Sequence, residues 1–121
     1  MTKAIEEYSL SELVEKITEI INENPEPIQG FNAVVQFEVT DQDPSTYQYY
    51  FEDNTLKIMA GVEAEPKVTM QLNYDHFKKF LLGKLSGAMA LMTGKVKVKG
   101  DITVALKIEN ILGKYNFKNL L

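Results

Sequence analysis

Hydrophobic residues along this chain recur with two different spacings, and the points where the spacing changes limit the folds the chain can adopt. In residues 10–21 the spacing is helical, and Ser9 and Glu12 stand where a capping box would begin that helix. In residues 33–58 apolar and polar residues alternate in three runs separated by turn-forming residues, which is typical of strands with one buried face. The sequence therefore predicts an amphipathic helix followed by a three-stranded antiparallel meander.

The second half of the chain changes spacing again. Alternation over residues 68–72 predicts a fourth strand, and Asn73 then stands at the N-cap of a short helix that Gly83 closes. Residues 85–92 also have helical spacing, and Gly94 follows them. We expect two short helices beside the sheet.

The segment after the second short helix fits two structures. Apolar residues occupy the even positions on both sides of Gly100, from Val96 to Ile108, which would suit a hairpin turning at Gly100 and Asp101. The same residues also fit a strand followed by a helix that Asp101 caps. Apolar residues continue at helical spacing for about three turns and stop at Gly113, which favours the helix.

Length and composition indicate one globular domain, residues 1–121, in which 45% of the residues are hydrophobic. The chain has no cysteine, which excludes disulfides, thiolate zinc sites and cysteine catalysis. The N-terminus lacks the apolar stretch of a signal peptide, and no apolar run is long enough to span a membrane. We expect a cytoplasmic protein.

The net charge of −4 is unevenly distributed along the chain. Residues 1–66 hold 3 lysines and 14 acidic residues, a balance of −11, whereas residues 67–121 hold 10 lysines and 3 acidic residues, a balance of +7. This division suggests an anionic partner near the second half, such as a phospholipid surface or a phosphate-bearing ligand. Alternatively, the two halves pack together and the lysines form a solvated face. Nucleic acid is a poor candidate, because the chain contains no arginine.

Residues for catalysis or metal binding are sparse. The single histidine, His76, follows Asp75 directly on a predicted helix, where adjacent side chains point in different directions and cannot form a dyad. No glycine-rich phosphate loop and no patterned cluster of metal ligands occurs in the sequence. We therefore expect a protein that is not an enzyme and needs neither a cofactor nor a metal.

Methionine and aromatic side chains collect on the short helices and the strand before them. Methionine adapts to irregular space, so these residues suit a cavity for a flexible ligand. They would equally serve an ordinary small core, and on these residues alone the function stays open.

The order of motifs in residues 77–107 is distinctive. A short helix ends in Gly83-Lys84, an apolar helix ends in Gly94-Lys95, an alternating strand follows, and Gly100-Asp101 opens a helix with an internal alanine, Ala105. In this order the motifs resemble the sterol carrier protein 2 family. The similarity is most specific over residues 67–112, while upstream only the order of elements agrees.

The resemblance implies an α+β fold in which a five-stranded mixed sheet carries helices on one face and an apolar tunnel runs between them. Members of the family bind sterols, fatty acids, acyl-CoA or phospholipids, and carry them or present them to enzymes. The resemblance thus implies a long-chain lipid as partner here. The residues that would line or gate the tunnel are Met70, Phe77, Phe80, Leu81, Met89, Met92, Ile102, Ala105 and Leu106.

Two further expectations follow from the resemblance. An anionic membrane surface would be contacted through Lys84, Lys95, Lys97 and Lys99. The chain ends in Asn119-Leu120-Leu121 rather than in a tripeptide such as S-K-L, so we expect a prokaryotic-type member without peroxisomal targeting. For such a member, fatty acids, phospholipids or isoprenoid quinones are better candidate ligands than sterols.

The alternative function is a non-catalytic interaction module. In that case the late apolar face and the tail from Tyr115 to Leu121 would form a homodimer or partner interface, and the protein's own side chains would fill the tunnel. The sequence leaves open whether residues 114–121 cap the tunnel.

Overall fold

The computed structural model of the chain describes the backbone of residues 5–120 and the side chains from Ile5 to Lys118. In this part the helices are α1 (Leu10–Glu23), α2 (Tyr74–Leu81), α3 (Gly87–Met92), α4 (Ile102–Gly113) and α5 (Phe117–Leu120). The strands are β1 (Ala33–Val39), β2 (Thr46–Glu52), β3 (Thr55–Ala60), β4 (Val68–Leu72) and β5 (Lys97–Gly100). None of the described helices has the length and apolar content of a membrane-spanning segment.

Helix α1 begins at the capping box that the sequence predicts. The Ser9 hydroxyl accepts from the backbone N–H of Glu12 at 3.2 Å, and the Glu12 carboxylate accepts from the backbone N–H of Ser9 at 2.9 Å. These reciprocal bonds satisfy two of the backbone donors that a helix start leaves free. One side of the helix is then fully buried through Leu13, Ile17 and Ile21.

The five strands form one mixed sheet in the order β3-β2-β1-β4-β5. The predicted meander is confirmed: β1 pairs with β2 and β2 with β3, both antiparallel. The chain then returns across the sheet to place β4 parallel to β1, and β5 pairs antiparallel with β4. This arrangement is the α+β fold with a five-stranded sheet that the resemblance implies.

One face of the sheet carries the helices and most of the core. Phe37 of β1 lies at the centre of this face, with ring centroids 4.9 Å from Tyr49 of β2 and 5.5 Å and 6.5 Å from Phe77 and Phe80 of α2. Helix α4 packs on β1, β4 and β5, and α1 packs on β3. Because side chains alternate across a strand, the remaining strand residues point to the opposite face.

That opposite face is polar but partly covered. Gln48 of β2 is fully buried there, under the loop of residues 61–66. Its Oε1 accepts from the backbone N–H groups of Glu63 and Ala64, and its Nε2 donates to the carbonyl oxygen of Ala64 and to Oε1 of Gln36. The loop is therefore bound to the sheet by one side-chain amide.

The segment with two interpretations is a helix. α4 starts after Asp101, whose carboxylate accepts from the backbone N–H of Thr103 at 2.9 Å, and it extends to Gly113 as predicted. One boundary differs from the predictions. Helix α3 starts at Gly87 rather than at Leu85, because the side chain of Ser86 caps it.

Candidate functional site

An apolar cavity lies between α3, α4 and the β4–β5 end of the sheet, with a volume of about 170 Å³. Met70 of β4 and Phe80 of α2 contribute to its wall, and Glu109 carries the only acidic side chain of the lining in the described structure. The full set of lining residues is Met70, Phe80, Gly87, Ala88, Leu91, Val96, Val98, Ile102, Ala105, Leu106 and Glu109. Such a lining can hold a hydrocarbon chain.

The α4 wall follows from the position of the helix start. Ile102, Ala105, Leu106 and Glu109 are spaced at i, i+3, i+4 and i+7, which places them on one side of the helix. The Asp101 cap holds this register. The hydrogen bonds from Thr103 stabilise the carboxylate and hold the pKa of Asp101 below its usual value.

The α3 wall is fastened to α4 by a single side chain. The Glu109 carboxylate accepts from the backbone N–H of Gly87, the first residue of α3. A Cβ at position 87 would lie only 2.5 Å from the nearer carboxylate oxygen, so a side chain there would displace the Glu109 carboxylate from this position. Ala90 is the one α3 residue that is buried, and it belongs to the hydrophobic core.

The structure brings five of the nine predicted site residues to the cavity, namely Met70, Phe80, Ile102, Ala105 and Leu106. Phe77 and Leu81 lie on α2 but are buried in the main core, where Phe77 packs on Phe37. Met89 and Met92 lie on α3 and face outwards, with exposed fractions of 57% and 81%. They border the wall formed by α3 without lining the cavity.

The cavity also holds residues that sequence reasoning did not select. Leu91 and Ala88 enter from α3, and Val96 and Val98 from the segment leading into β5. The valines could have been found from their alternation with lysines. Glu109 could have been found from its spacing to Ala105, but a glutamate within an apolar pattern usually marks the solvent side of a helix.

Exposed apolar side chains surround the cavity opening. Ile102 and Leu106 are half exposed although they line the cavity, at 49% and 55%, and Met89, Leu91 and Met92 add exposed surface from α3. Several large apolar side chains exposed on neighbouring helices are typical of interaction or ligand-entry sites on globular proteins.

Two of the predicted membrane-contacting lysines, Lys95 and Lys97, lie apart from this opening. Met70 pairs with Val98 and Gln71 with Lys97, so the valine faces the cavity while Lys97 faces the opposite side of the sheet. There Lys95 and Lys97 border a separate polar hollow of about 270 Å³ together with His76. Lys84 and Lys99 are exposed.

Asp75 and His76 do not act as a pair. The Asp75 carboxylate lies 3.0 Å from the Lys79 ammonium, and this hydrogen bond lowers the pKa of Asp75. The backbone N–H of His76 donates to the side chain of Asn73, which caps α2. Both residues lie in the first turn of α2, where these contacts stabilise the start of the helix.

The described part of the tail belongs to the core. Tyr115 and Phe117 are buried, and the Tyr115 hydroxyl donates to the carbonyl oxygen of Asn24 at 2.7 Å. No residue of the described tail lines the cavity. Leu121, which the interaction-module prediction included, lies outside the described residues.

Comparison with known proteins identifies this arrangement. The model of the SCP-2 sterol transfer family matches residues 14–113. A fatty acid-binding protein of Yarrowia lipolytica is 31% identical over 91 residues, which cover 72% of this chain and 70% of that protein. The solved structure of sterol carrier protein 2 from the same organism, in its apo form, superposes with a TM-score of 0.69 at 26% identity and covers 98% of this chain and 99% of that one.

A longer relative has the same similarity in a part of its chain. Hydroxysteroid dehydrogenase-like protein 2 of Mus musculus is 34% identical over 92 residues, or 75% of this chain. The matched part is 19% of that protein's length.

Proposed function

Since the chain belongs to the SCP-2 sterol transfer family, we propose that it binds the apolar chain of a lipid in the cavity between α3 and α4 and acts as a carrier or presenting protein in the cytoplasm. The candidate ligands are a fatty acid, an acyl-CoA, a phospholipid or an isoprenoid. The observation that carries the proposal is the apolar cavity, which opens through half-exposed Ile102 and Leu106.

Binding would rest on burial of hydrocarbon. Each methylene group removed from water contributes about 0.8 kcal/mol. A long acyl chain therefore gains on the order of ten kcal/mol before its ordering cost is subtracted. Met70 and Leu106 offer adaptable and apolar surface for this purpose, and the role requires no catalytic group.

The relatives support the ligand class. The similar Yarrowia lipolytica protein is named as a fatty acid-binding protein, and the similarity extends over most of both chains. The Mus musculus relative bears a dehydrogenase-like name, but this chain corresponds to only a small part of it. We therefore assign no dehydrogenase activity to this chain.

Contact with an anionic membrane is part of the proposal. Lys95, Lys97 and Lys99 are exposed on β5 or just before it, and Lys84 is exposed between α2 and α3. Each lysine near an anionic bilayer contributes about 1 kcal/mol, and the attraction falls with added salt. Flotation with vesicles containing anionic phospholipid tests this contact, with neutral vesicles and a Lys95→Glu, Lys97→Glu variant as controls.

A second function remains a candidate because the rim of the cavity is apolar and exposed. Met89 and Met92 could pack on another copy of the chain, as an interaction module or homodimer would require. Tyr115 and Phe117 are unavailable for that interface, since both are buried within their own chain.

Native mass spectrometry of the purified protein, followed by organic extraction, distinguishes the two functions. A bound molecule of a few hundred daltons, released by the solvent and identified as a lipid, is expected from a carrier. An empty protein that also rejects added fatty acids and quinones would contradict the proposal. A dimer with an empty cavity would support the interaction module.

A further inference from the structure

The cavity is too small for the ligand that the proposed function requires. Its volume is about 170 Å³. Sites that enclose a drug-sized ligand usually have about 300–1,000 Å³. A long-chain lipid can therefore be enclosed only if one wall of the cavity moves outwards.

Three of the four walls are held by buried side chains. The sheet contributes Met70, α2 contributes Phe80, and both residues are buried. Helix α4 is anchored in the core by Ile108, Ile111 and Leu112. Moving any of these walls would disrupt the main core.

The fourth wall is α3, and it is held differently. Its six residues bury only Ala90, so little apolar contact opposes its displacement. The hydrogen bond from the Gly87 N–H to the Glu109 carboxylate joins the N-terminal end of α3 to α4. At the other end, the backbone N–H groups of Lys95 and Val96 donate to the carbonyl oxygen of Ala90, and before the helix Leu85 packs on the core. The segment lies between Gly83 and Gly94, both of which have positive φ angles, of 73° and 75°.

We propose that α3 is a lid over the lipid cavity and that Glu109 is the positioning residue that holds the lid closed through the Gly87 N–H. The inference rests on the proposed function, because a lid has meaning only for a protein that exchanges a ligand. The lid opens when the hydrogen bond to Glu109 breaks and α3 moves away from α4. Ala88 and Leu91 leave the cavity wall in this step, and the enclosed volume increases.

The same contact allows the lid to be locked. The carboxylate carbon of Glu109 lies 2.8 Å from the position of a Cβ at residue 87, and the Cβ of Glu109 is two bonds away from that carbon. The two Cβ atoms are therefore at most roughly 5.3 Å apart, and a small shift of α3 towards α4 brings them to the spacing of a disulfide. The chain contains no cysteine, so the double variant Gly87→Cys, Glu109→Cys forms one defined bridge.

The experiment compares this double variant, oxidised and reduced, with the wild-type protein. Uptake and release of the fluorescent long-chain fatty acid cis-parinaric acid are followed by stopped-flow fluorescence. The reduced variant lacks the Glu109 contact, and we expect it to release the probe about tenfold faster than the wild type, the factor that one charge-assisted hydrogen bond supplies. The oxidised variant should neither take up nor release the probe on the same timescale.

A second variant separates the lid from a general loss of structure. Glu109→Gln keeps the size of the side chain and weakens the hydrogen bond. We expect faster probe release and faster amide hydrogen exchange in residues 84–94, with unchanged exchange in α1. Asn110→Ala, at the exposed neighbouring position of α4, is the matched control and should behave as the wild type.

The outcomes distinguish failure of the lid from failure of the proposed lipid binding. Uptake that is equally fast in the oxidised and reduced double variant would contradict the lid while leaving lipid binding intact. Absence of probe binding in every protein, the wild type included, would contradict the proposed function and the lid with it.

Discussion

The side-chain amide of Asn22 pairs with both backbone groups of Leu56, as a neighbouring strand would. Its Nδ2 donates to the Leu56 carbonyl oxygen at 2.8 Å, and its Oδ1 accepts from the Leu56 N–H at 2.8 Å. Leu56 lies on β3, the edge strand at one end of the sheet. Unpaired backbone groups on an edge strand invite pairing with other chains, and this amide occupies one pair of them.

Replacing the amide should weaken the junction between α1 and β3. In Asn22→Ala both hydrogen bonds are lost, and we expect the free energy of unfolding to fall by about 1 kcal/mol, since water reaches part of this site. Asn22→Asp keeps the acceptor and loses the donor, so its free energy of unfolding should lie between those of the wild type and Asn22→Ala. Urea unfolding measures the effect, with Glu23→Ala as an exposed neighbour. Equal stability of Asn22→Ala and Glu23→Ala would show that the pairing contributes nothing.

Replacing glycine by alanine should have opposite effects on stability at the two ends of α4, at Gly100 and at Gly113. At Gly100 φ is +103°, and an added Cβ would lie 2.6 Å from the Lys67 carbonyl oxygen. We expect Gly100→Ala to destabilise the protein by roughly 1–3 kcal/mol from the backbone conformation, with the steric clash in addition. Gly113→Ala meets nothing within 4 Å and should be neutral or stabilising by up to about 1 kcal/mol. Thermal unfolding should give a lower midpoint temperature for Gly100→Ala than for Gly113→Ala. Equal midpoint temperatures would contradict the prediction.

Local patterns predicted much of this fold because each depends on neighbours in sequence. Helix α1 and its capping box require only residues 9–21, and the meander requires alternation and turns. The segment around Gly100 was ambiguous because its apolar spacing serves a strand and a helix alike. The Asp101 cap and the close approach of Lys67 to Gly100 select the helix.

The residues that sequence reasoning missed depend on distant contacts. Gln48 stands at a polar position of an alternating strand, which usually faces solvent, yet the loop of residues 61–66 buries it completely. The resemblance implies Met89 and Met92 as site residues, yet both face outwards. Helix α3 is apolar around its whole circumference, so periodicity does not indicate which side faces the cavity. Glu109 was missed because its partner is a backbone group 22 residues away.

Buried Gln48 should be a stability determinant with no role in ligand binding. Gln48→Leu would leave the backbone groups of Glu63 and Ala64 without their partner under the loop. We expect a loss of about 1–3 kcal/mol in the free energy of unfolding. Hydrogen exchange should increase in residues 61–66, whereas lipid binding on the opposite face should keep its affinity. A loss of lipid affinity in a folded variant would contradict this separation of the two faces.

The protein should lose stability in alkali through its buried tyrosines. Burial raises the pKa of both Tyr74 and Tyr115 to about 12, from an ordinary value of 10. The neutral hydroxyl is therefore favoured in the folded state, and its contribution is complete below pH 10 and is lost as the pH rises from about 10 to 12. Urea unfolding between pH 8 and 11.5 should show this decline. Tyr115→Phe should reduce its slope, at a cost of about 1 kcal/mol at neutral pH from the bond to Asn24. A slope identical to that of the wild type would show that Tyr115 does not contribute.

Filling the cavity should separate binding from folding. Ala105 is buried in the cavity wall, so Ala105→Leu places three additional carbon atoms into the space of about 170 Å³ that the ligand chain would occupy. Because the added atoms enter empty apolar space, we expect the free energy of unfolding to stay within about 1 kcal/mol of the wild type or to rise. Lipid affinity should fall at least about tenfold, since the lost burial of two methylene groups already corresponds to that factor.

Asn110→Leu adds a leucine to the exposed side of the same helix and should retain the wild-type affinity. Titration with a long-chain fatty acid compares the three proteins. If Ala105→Leu bound the lipid as tightly as Asn110→Leu, the ligand would have to lie elsewhere, and the cavity between α3 and α4 would not be the binding site.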